Sequence, residues 1–123
     1  MSGILTVCVV DDDPSVRNAL VNLIASMGFR GCGYHSAEAA LRSGDVLAAA
    51  CILTDIHMPE LDGFALKRRL DELGSDTPVI MMTGRDDAHL ERRAIEAGAM
   101  CLLRKPLHAD ALARCLAEAF GLG

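Results

Sequence analysis

Short apolar runs alternate along this chain with stretches of helical period, and that alternation restricts the available folds more than any other feature. ILTVCVV (4–10) reads as a buried strand. Pro14 to Met27 follows, with Val16, Leu20, Leu23, Ile24 and Met27 spaced along one helical face. Asp13 suits the N-cap of that helix, Pro14 its first turn and Gly28 its end. Phe29 to Tyr34 predicts a short strand interrupted by glycine, and Ser36 caps a brief helix carrying Ala37, Ala40 and Leu41. Residues 50–54 predict a third strand, and Asp62 caps a helix whose Leu66, Leu70 and Leu73 face inward. PVIMMT (78–83) is a fourth strand, 87–97 a helix with Leu90, Ala94 and Ala97 on one side, and MCLLR (100–104) a fifth strand. The last helix, 107–120, buries Leu112, Cys115, Leu116 and Ala119, with Asp110, Arg114 and Glu118 at i, i+4 spacing on its opposite face.

The strands are apolar throughout rather than alternating, as strands are when both faces of a parallel sheet are covered by helices. Right-handed crossovers then leave a doubly wound α/β arrangement of five strands and five helices. At 123 residues the chain suits one domain with a single core. Hydrophobic residues make up 51% of it and aromatics only 3%, so the core is aliphatic.

Other classes fall away on composition. No apolar run approaches the roughly 18–20 residues that span a bilayer. The N-terminus has no basic segment and runs into Asp11-Asp12-Asp13, unlike a signal peptide; a cytoplasmic protein with no membrane contact is expected. A net charge of −5 opposes a nucleic-acid surface, and Arg68-Arg69 and Arg92-Arg93 are only short basic pairs. The five cysteines, Cys8, Cys32, Cys51, Cys101 and Cys115, contain no C-x-x-C pair and are expected to be buried thiols.

In a doubly wound sheet the ligand site lies beyond the carboxyl ends of the strands, near the point where strand order reverses. Strand one ends in Asp11-Asp12-Asp13, strand three at Asp55, strand four at Thr83-Gly84 and strand five at Lys105-Pro106. If strands one and three are neighbours, three carboxylates converge and repel, raising their pKa values unless a cation neutralises them. A few oxygen ligands completed by water suit Mg²⁺. A divalent ion, the Lys105 ammonium and the Thr83 hydroxyl around one carboxylate form a receptor for a phosphoryl group, and Asp acts as a nucleophile by forming an acyl phosphate.

VVDDDP, LTDIHMPELDG, VIMMTG and LLRKP, in this order and spacing, resemble the receiver domain of bacterial two-component response regulators, the CheY-like superfamily. The resemblance covers residues 4–120, and the SAEAAL segment adds a likeness to NarL/FixJ-type receivers. It implies a flavodoxin-like (βα)5 fold with strand order 2-1-3-4-5 and one receiver domain without an output domain. It implies Asp55 as phosphoacceptor, served by a histidine kinase or phosphotransfer protein. On the same resemblance, Asp12 and Asp55 would bind Mg²⁺ directly with the backbone carbonyl of His57, Asp11 would act mostly through water, and Mn²⁺ could substitute. Lys105 would pair with the acceptor and then with phosphoryl oxygen, Thr83 would swing to the phosphoryl group, and the Lys105–Pro106 bond would be cis.

The implied output face comprises the helix at 87–97, the strand at 100–104 and the helix at 107–120. It would serve an output partner or a second copy, for which Ala109, Ala113 and Ala117 offer close approach; the alternative reading of these alanines is a plain helix surface. Leu102 departs from the pattern, because receivers carry Tyr or Phe there, coupled to the Thr. The switch is then expected to run through the loop after Thr83 and the helix at 87–97. His57 and Arg85, each two residues past a site residue, are candidates for tuning the phosphorylated lifetime; the bland reading of His57 is an exposed loop residue. His35, His89 and His108 are expected at the surface.

Two rival functions remain. A phosphatase of the haloacid dehalogenase type needs a second Asp two residues after the nucleophile, where this chain has His57. A receiver-fold module that binds partners without phosphorylation is favoured by Leu102 and opposed by the intact acidic, Thr and Lys set.

Overall fold

A computed structural model describes residues 3–122. Its elements are β1 (Thr6–Val10), α1 (Pro14–Ser26), β2 (Arg30–Tyr34), α2 (Ala37–Ser43), α3 (Asp45–Ala48), β3 (Cys51–Asp55), α4 (Gly63–Glu72), β4 (Val79–Thr83), α5 (Ala88–Glu96), β5 (Cys101–Arg104) and α6 (Ala109–Phe120). The five strands form one parallel sheet in the order β2-β1-β3-β4-β5. This is the expected flavodoxin-like arrangement. The chain runs outward from β1 to β2 and then crosses back to β3, so order reverses between the ends of β1 and β3.

All five residues of β3 and all five of β4 are buried, which explains their unbroken apolar character. Alternate residues still serve different faces. Val7, Val9, Leu53, Ile80 and Met82 pack under Leu20 and Ile24 of α1 and Leu112 and Leu116 of α6. Cys8, Val10, Ile52, Val79 and Met81 pack under α2 to α5, against Val46, Leu66, Leu70, Leu90 and Ala94. Phe29 and Phe120 close one edge with ring centroids 4.9 Å apart.

The helix starts follow their caps. Asp13 accepts the Ser15 amide at 2.9 Å, Ser36 the Ala39 amide at 3.0 Å and Asp62 the Ala65 amide at 2.8 Å. Each bond satisfies an amide that the helix itself cannot.

The structure corrects four expectations. The described residues form six helices, not five, because Gly44 at φ +77° ends α2 in a left-handed turn and Asp45 starts the extra turn α3. Leu73 is 59% exposed rather than inward-facing, since α4 ends at Glu72 and the chain turns away at Gly74 (φ +76°). Ile4 and Leu5 are exposed because β1 begins only at Thr6, where pairing to β2 starts. Asp110, Arg114 and Glu118 make no ion pair, among the described residues, within 4.0 Å.

Candidate functional site at the carboxyl rim of the sheet

The rim is built from strand ends. Asp11 follows the last residue of β1, and its amide donates to the Tyr34 carbonyl of β2 at 3.1 Å, extending the parallel ladder by one bond. Its side chain is fully buried and accepts the Asp13 amide at 2.9 Å. Asp12 is exposed. Asp55 is the last residue of β3 and is buried, with the His57 amide donating to its Oδ1 at 3.3 Å. One ligand oxygen from each of Asp11, Asp12 and Asp55 lies within 4.8 Å of the others, the only such group of metal-ligating side chains among the described residues.

Lys105 enters this cluster from the end of β5. Its amide donates to the Thr83 carbonyl at 2.8 Å, which aligns it with β4. Its ammonium donates to Asp11 Oδ2 at 2.8 Å and Asp55 Oδ2 at 3.1 Å. The following Lys105–Pro106 peptide is cis, as expected. Burial lowers the affinity of Lys105 for its proton, but the bonds and charges of Asp11 and Asp55 outweigh that and move its pKa upward. Burial raises the pKa of Asp55, the Lys105 charge and hydrogen bond oppose the rise, and the Asp11 charge adds to it; the net direction is up. Three carboxylates facing one ammonium leave an excess of negative charge and a set of hard oxygens, which fits a small divalent cation. Soft ligands do not compete. Burial pushes the Cys8, Cys51 and Cys101 thiols up to about 12, and all five cysteines are free.

Thr83 ends β4 with its side chain fully buried. Its hydroxyl accepts the Arg85 amide at 3.0 Å, while the Arg85 side chain is exposed. His57 is not an exposed loop residue: its Nε2 lies 2.9 Å from Thr83 Oγ1. No sequence signal links these two residues, 26 positions apart. Arg17 carries no sequence signal either, although its position one turn into α1 brings its guanidinium to the Asp11 carbonyl at 2.9 Å. His35, His89 and His108 lie at the surface, as expected.

The loop from Asp55 to α4 is held tightly from behind. Met58 is buried, and the Gly63 amide donates to the Ile56 carbonyl at 3.0 Å. A β-carbon at Gly63 would stand 2.6 Å from the Asp55 carbonyl oxygen and 2.9 Å from Ile56 Cα. Glycine is therefore required here for close approach, and the helix capped by Asp62 abuts the strand end that carries Asp55.

Leu102 is half-buried on β5, in register with Met81 and packed into the apolar layer of α5. It lines a cleft of about 180 Å³ with Glu91, Ala94, Ile95, Ala99 and Met100. Its hydrocarbon side chain has nothing to offer the Thr83 hydroxyl.

The family model for the response regulator receiver domain matches residues 7–117. Response regulator protein TmoT of Ectopseudomonas mendocina is 37% identical over 114 residues, which are 93% of this chain and 52% of that protein. Transcriptional regulatory protein FixJ of Azorhizobium caulinodans is 37% identical over 117 residues, 95% of this chain and 56% of that protein. The chain thus spans about half the length of the curated relatives it matches. The crystal structure of FixJ-N superposes with a TM-score of 0.88 at 30% identity, covering 98% of this chain and 96% of that one.

Proposed function

Because this chain belongs to the family of response regulator receiver domains of two-component systems, we propose that Asp55 accepts a phosphoryl group from a histidine kinase or phosphotransfer protein. The observation that supports this most is the placement of Asp55. It is buried at the end of β3, beside two other carboxylates, and bonded by Lys105 at 3.1 Å.

An Asp55 oxygen forms a bond to phosphorus as the P–N bond of a phosphohistidine breaks, and the electron pair leaves with the ring nitrogen. The product is an acyl phosphate on Asp55. The Lys105 ammonium, held at the rim because the Lys105 amide donates a hydrogen bond to the Thr83 carbonyl of β4, shifts from the carboxylate to a phosphoryl oxygen. Thr83 supplies a hydroxyl to another. Both groups already stand at the rim before the reaction, so the chain contributes positioning and charge neutralisation rather than proton transfer. Asp12, Asp55 and the carbonyl of His57 would hold Mg²⁺, or Mn²⁺ in its place, with Asp11 acting through water. A cation bound there offsets the repulsion between the carboxylates and the incoming phosphoryl oxygens.

The output surface lies on α5, β5 and α6. Ile95 is 69% exposed and Met100 39%, which gives this face an apolar component suited to a protein partner. Ala109 and Ala113 are exposed on α6 and admit close approach of a second copy.

Incubation with Mg²⁺ and acetyl phosphate tests the reading. Wild type gains the mass of one phosphoryl group, stable in acid and lost in base, while Asp55→Asn gains none. No gain on wild type, or an equal gain on the variant, overturns it.

A further inference from the structure

Two groups claim the hydroxyl of Thr83. The Arg85 amide donates to it at 3.0 Å, and His57 Nε2 lies 2.9 Å away. A hydroxyl has one proton and two lone pairs, and an amide N–H can use only a lone pair. Thr83 is fully buried, so its proton needs an acceptor within the protein. His57 Nε2 is the acceptor in reach, an assignment that requires the tautomer with its proton on Nδ1.

The same residue also touches the acceptor, through its amide on Asp55 Oδ1 at 3.3 Å. His57 therefore joins the two residues whose relation has to change on phosphorylation.

We propose that His57 is a positioning residue that latches Thr83 in the unphosphorylated state, and that exchange of this hydrogen bond is the element by which the domain switches. The proposal rests on Asp55 being the phosphoacceptor. Thr83 has one proton to donate. While His57 Nε2 receives it, the hydroxyl cannot donate it to a phosphoryl oxygen on Asp55. Phosphorylation breaks the Thr83–His57 bond and forms a Thr83–phosphoryl bond, so the hydroxyl keeps one acceptor throughout. The Arg85 amide is bonded to the moving oxygen, and it carries the shift into the loop that leads to α5. Release of His57 thus does what an aromatic side chain at position 102 would otherwise do, and Leu102 only fills space.

The test uses His57→Ala and His57→Gln, followed by amide NMR with Mg²⁺ and with fluoroberyllate as the phosphoryl analogue. A glutamine carbonyl oxygen can accept the proton that His57 accepts. In His57→Ala without the analogue, the Gly84 and Arg85 amide signals are expected to move toward their positions in the analogue-bound wild type. Half-saturation with fluoroberyllate is expected at about fivefold lower concentration, the change that goes with one neutral hydrogen bond. His57→Gln is expected to restore both values, and signals from β2 and α1 to stay put in both variants.

Signals for Gly84 and Arg85 that do not move in His57→Ala overturn the latch, as does an equal shift in His57→Gln. Wild type that fails to take a phosphoryl group on Asp55 overturns the functional reading and the latch together. Wild type that takes it, with His57→Ala unaltered, overturns the latch alone.

Discussion

The two halves of the rim are built on different principles. At the ends of β1 and β3, three carboxylates cluster, the ammonium that Lys105 brings from the end of β5 bonds two of them, and charge decides the arrangement. At the ends of β4 and β5, a buried hydroxyl is bonded to a ring nitrogen and an amide, and a leucine fills the adjoining space. Charges act over several ångströms and tolerate small displacements, whereas a hydroxyl proton has one acceptor at a time. In the proposed function, the charged half carries the phosphoryl chemistry and the neutral half reports it. A single residue, His57, spans both.

This division predicts effects of different size. Removing the ammonium has the largest effect on folding, because it leaves two buried carboxylates facing each other. Lys105→Met is expected to cost about 3 kcal/mol at neutral pH without metal, measured by urea denaturation. The sign of the pH dependence follows from Asp55. Its pKa is raised above the ordinary 3.8 in the folded protein, so the folded state holds a proton that the unfolded chain releases. The contribution of Asp55 to stability therefore falls as pH rises through that window. The deficit of Lys105→Met is expected to shrink as pH falls toward the same window. A deficit that is constant with pH would mean that the two carboxylates are not coupled through Lys105.

Gly63→Ala is expected to cost about 2 kcal/mol, because backbone and not a flexible side chain meets the added carbon. It displaces Asp55 without altering charge, so it separates geometry from electrostatics. A slower phosphorylation at unchanged Mg²⁺ affinity would assign the close approach to aligning the nucleophile. A change in Mg²⁺ affinity alone would assign it to the metal.

The smallest effect has the opposite sign. Asp55→Asn removes one of three crowded charges and is expected to raise Tm by about 4 °C without metal, equivalent to about 1 kcal/mol. With Mg²⁺ at about 100 times its Kd, wild type gains about 2.7 kcal/mol and the order reverses. A variant that is less stable than wild type without metal would show that Lys105 more than compensates Asp55.

Much of the charged half was legible in the sequence. Asp11, Asp12, Asp55 and Lys105 each follow or end an apolar run, and in a parallel sheet such positions fall on one rim whatever the details of packing. The caps Asp13, Ser36 and Asp62 were legible for a similar reason, since each acts on an amide two or three residues away. In the neutral half, Thr83 was legible as a strand end, but its bond to His57 was not. Whether the His57 ring turns toward solvent or toward Thr83 depends on a tertiary contact between two loops, and no local pattern encodes it. α3 has no signature in the sequence because one helical turn has too few residues to display a period, and Leu73 continues the apolar spacing of α4 one residue past the helix end.

The central claim is that Asp55, and neither of its neighbours, carries the phosphoryl group. Reduction with borohydride after treatment with acetyl phosphate and Mg²⁺ converts an acyl phosphate to a stable alcohol that peptide mass mapping can locate. The account predicts modification at position 55 alone, dependent on the metal. Modification at Asp11 or Asp12, or at no aspartate, would contradict it.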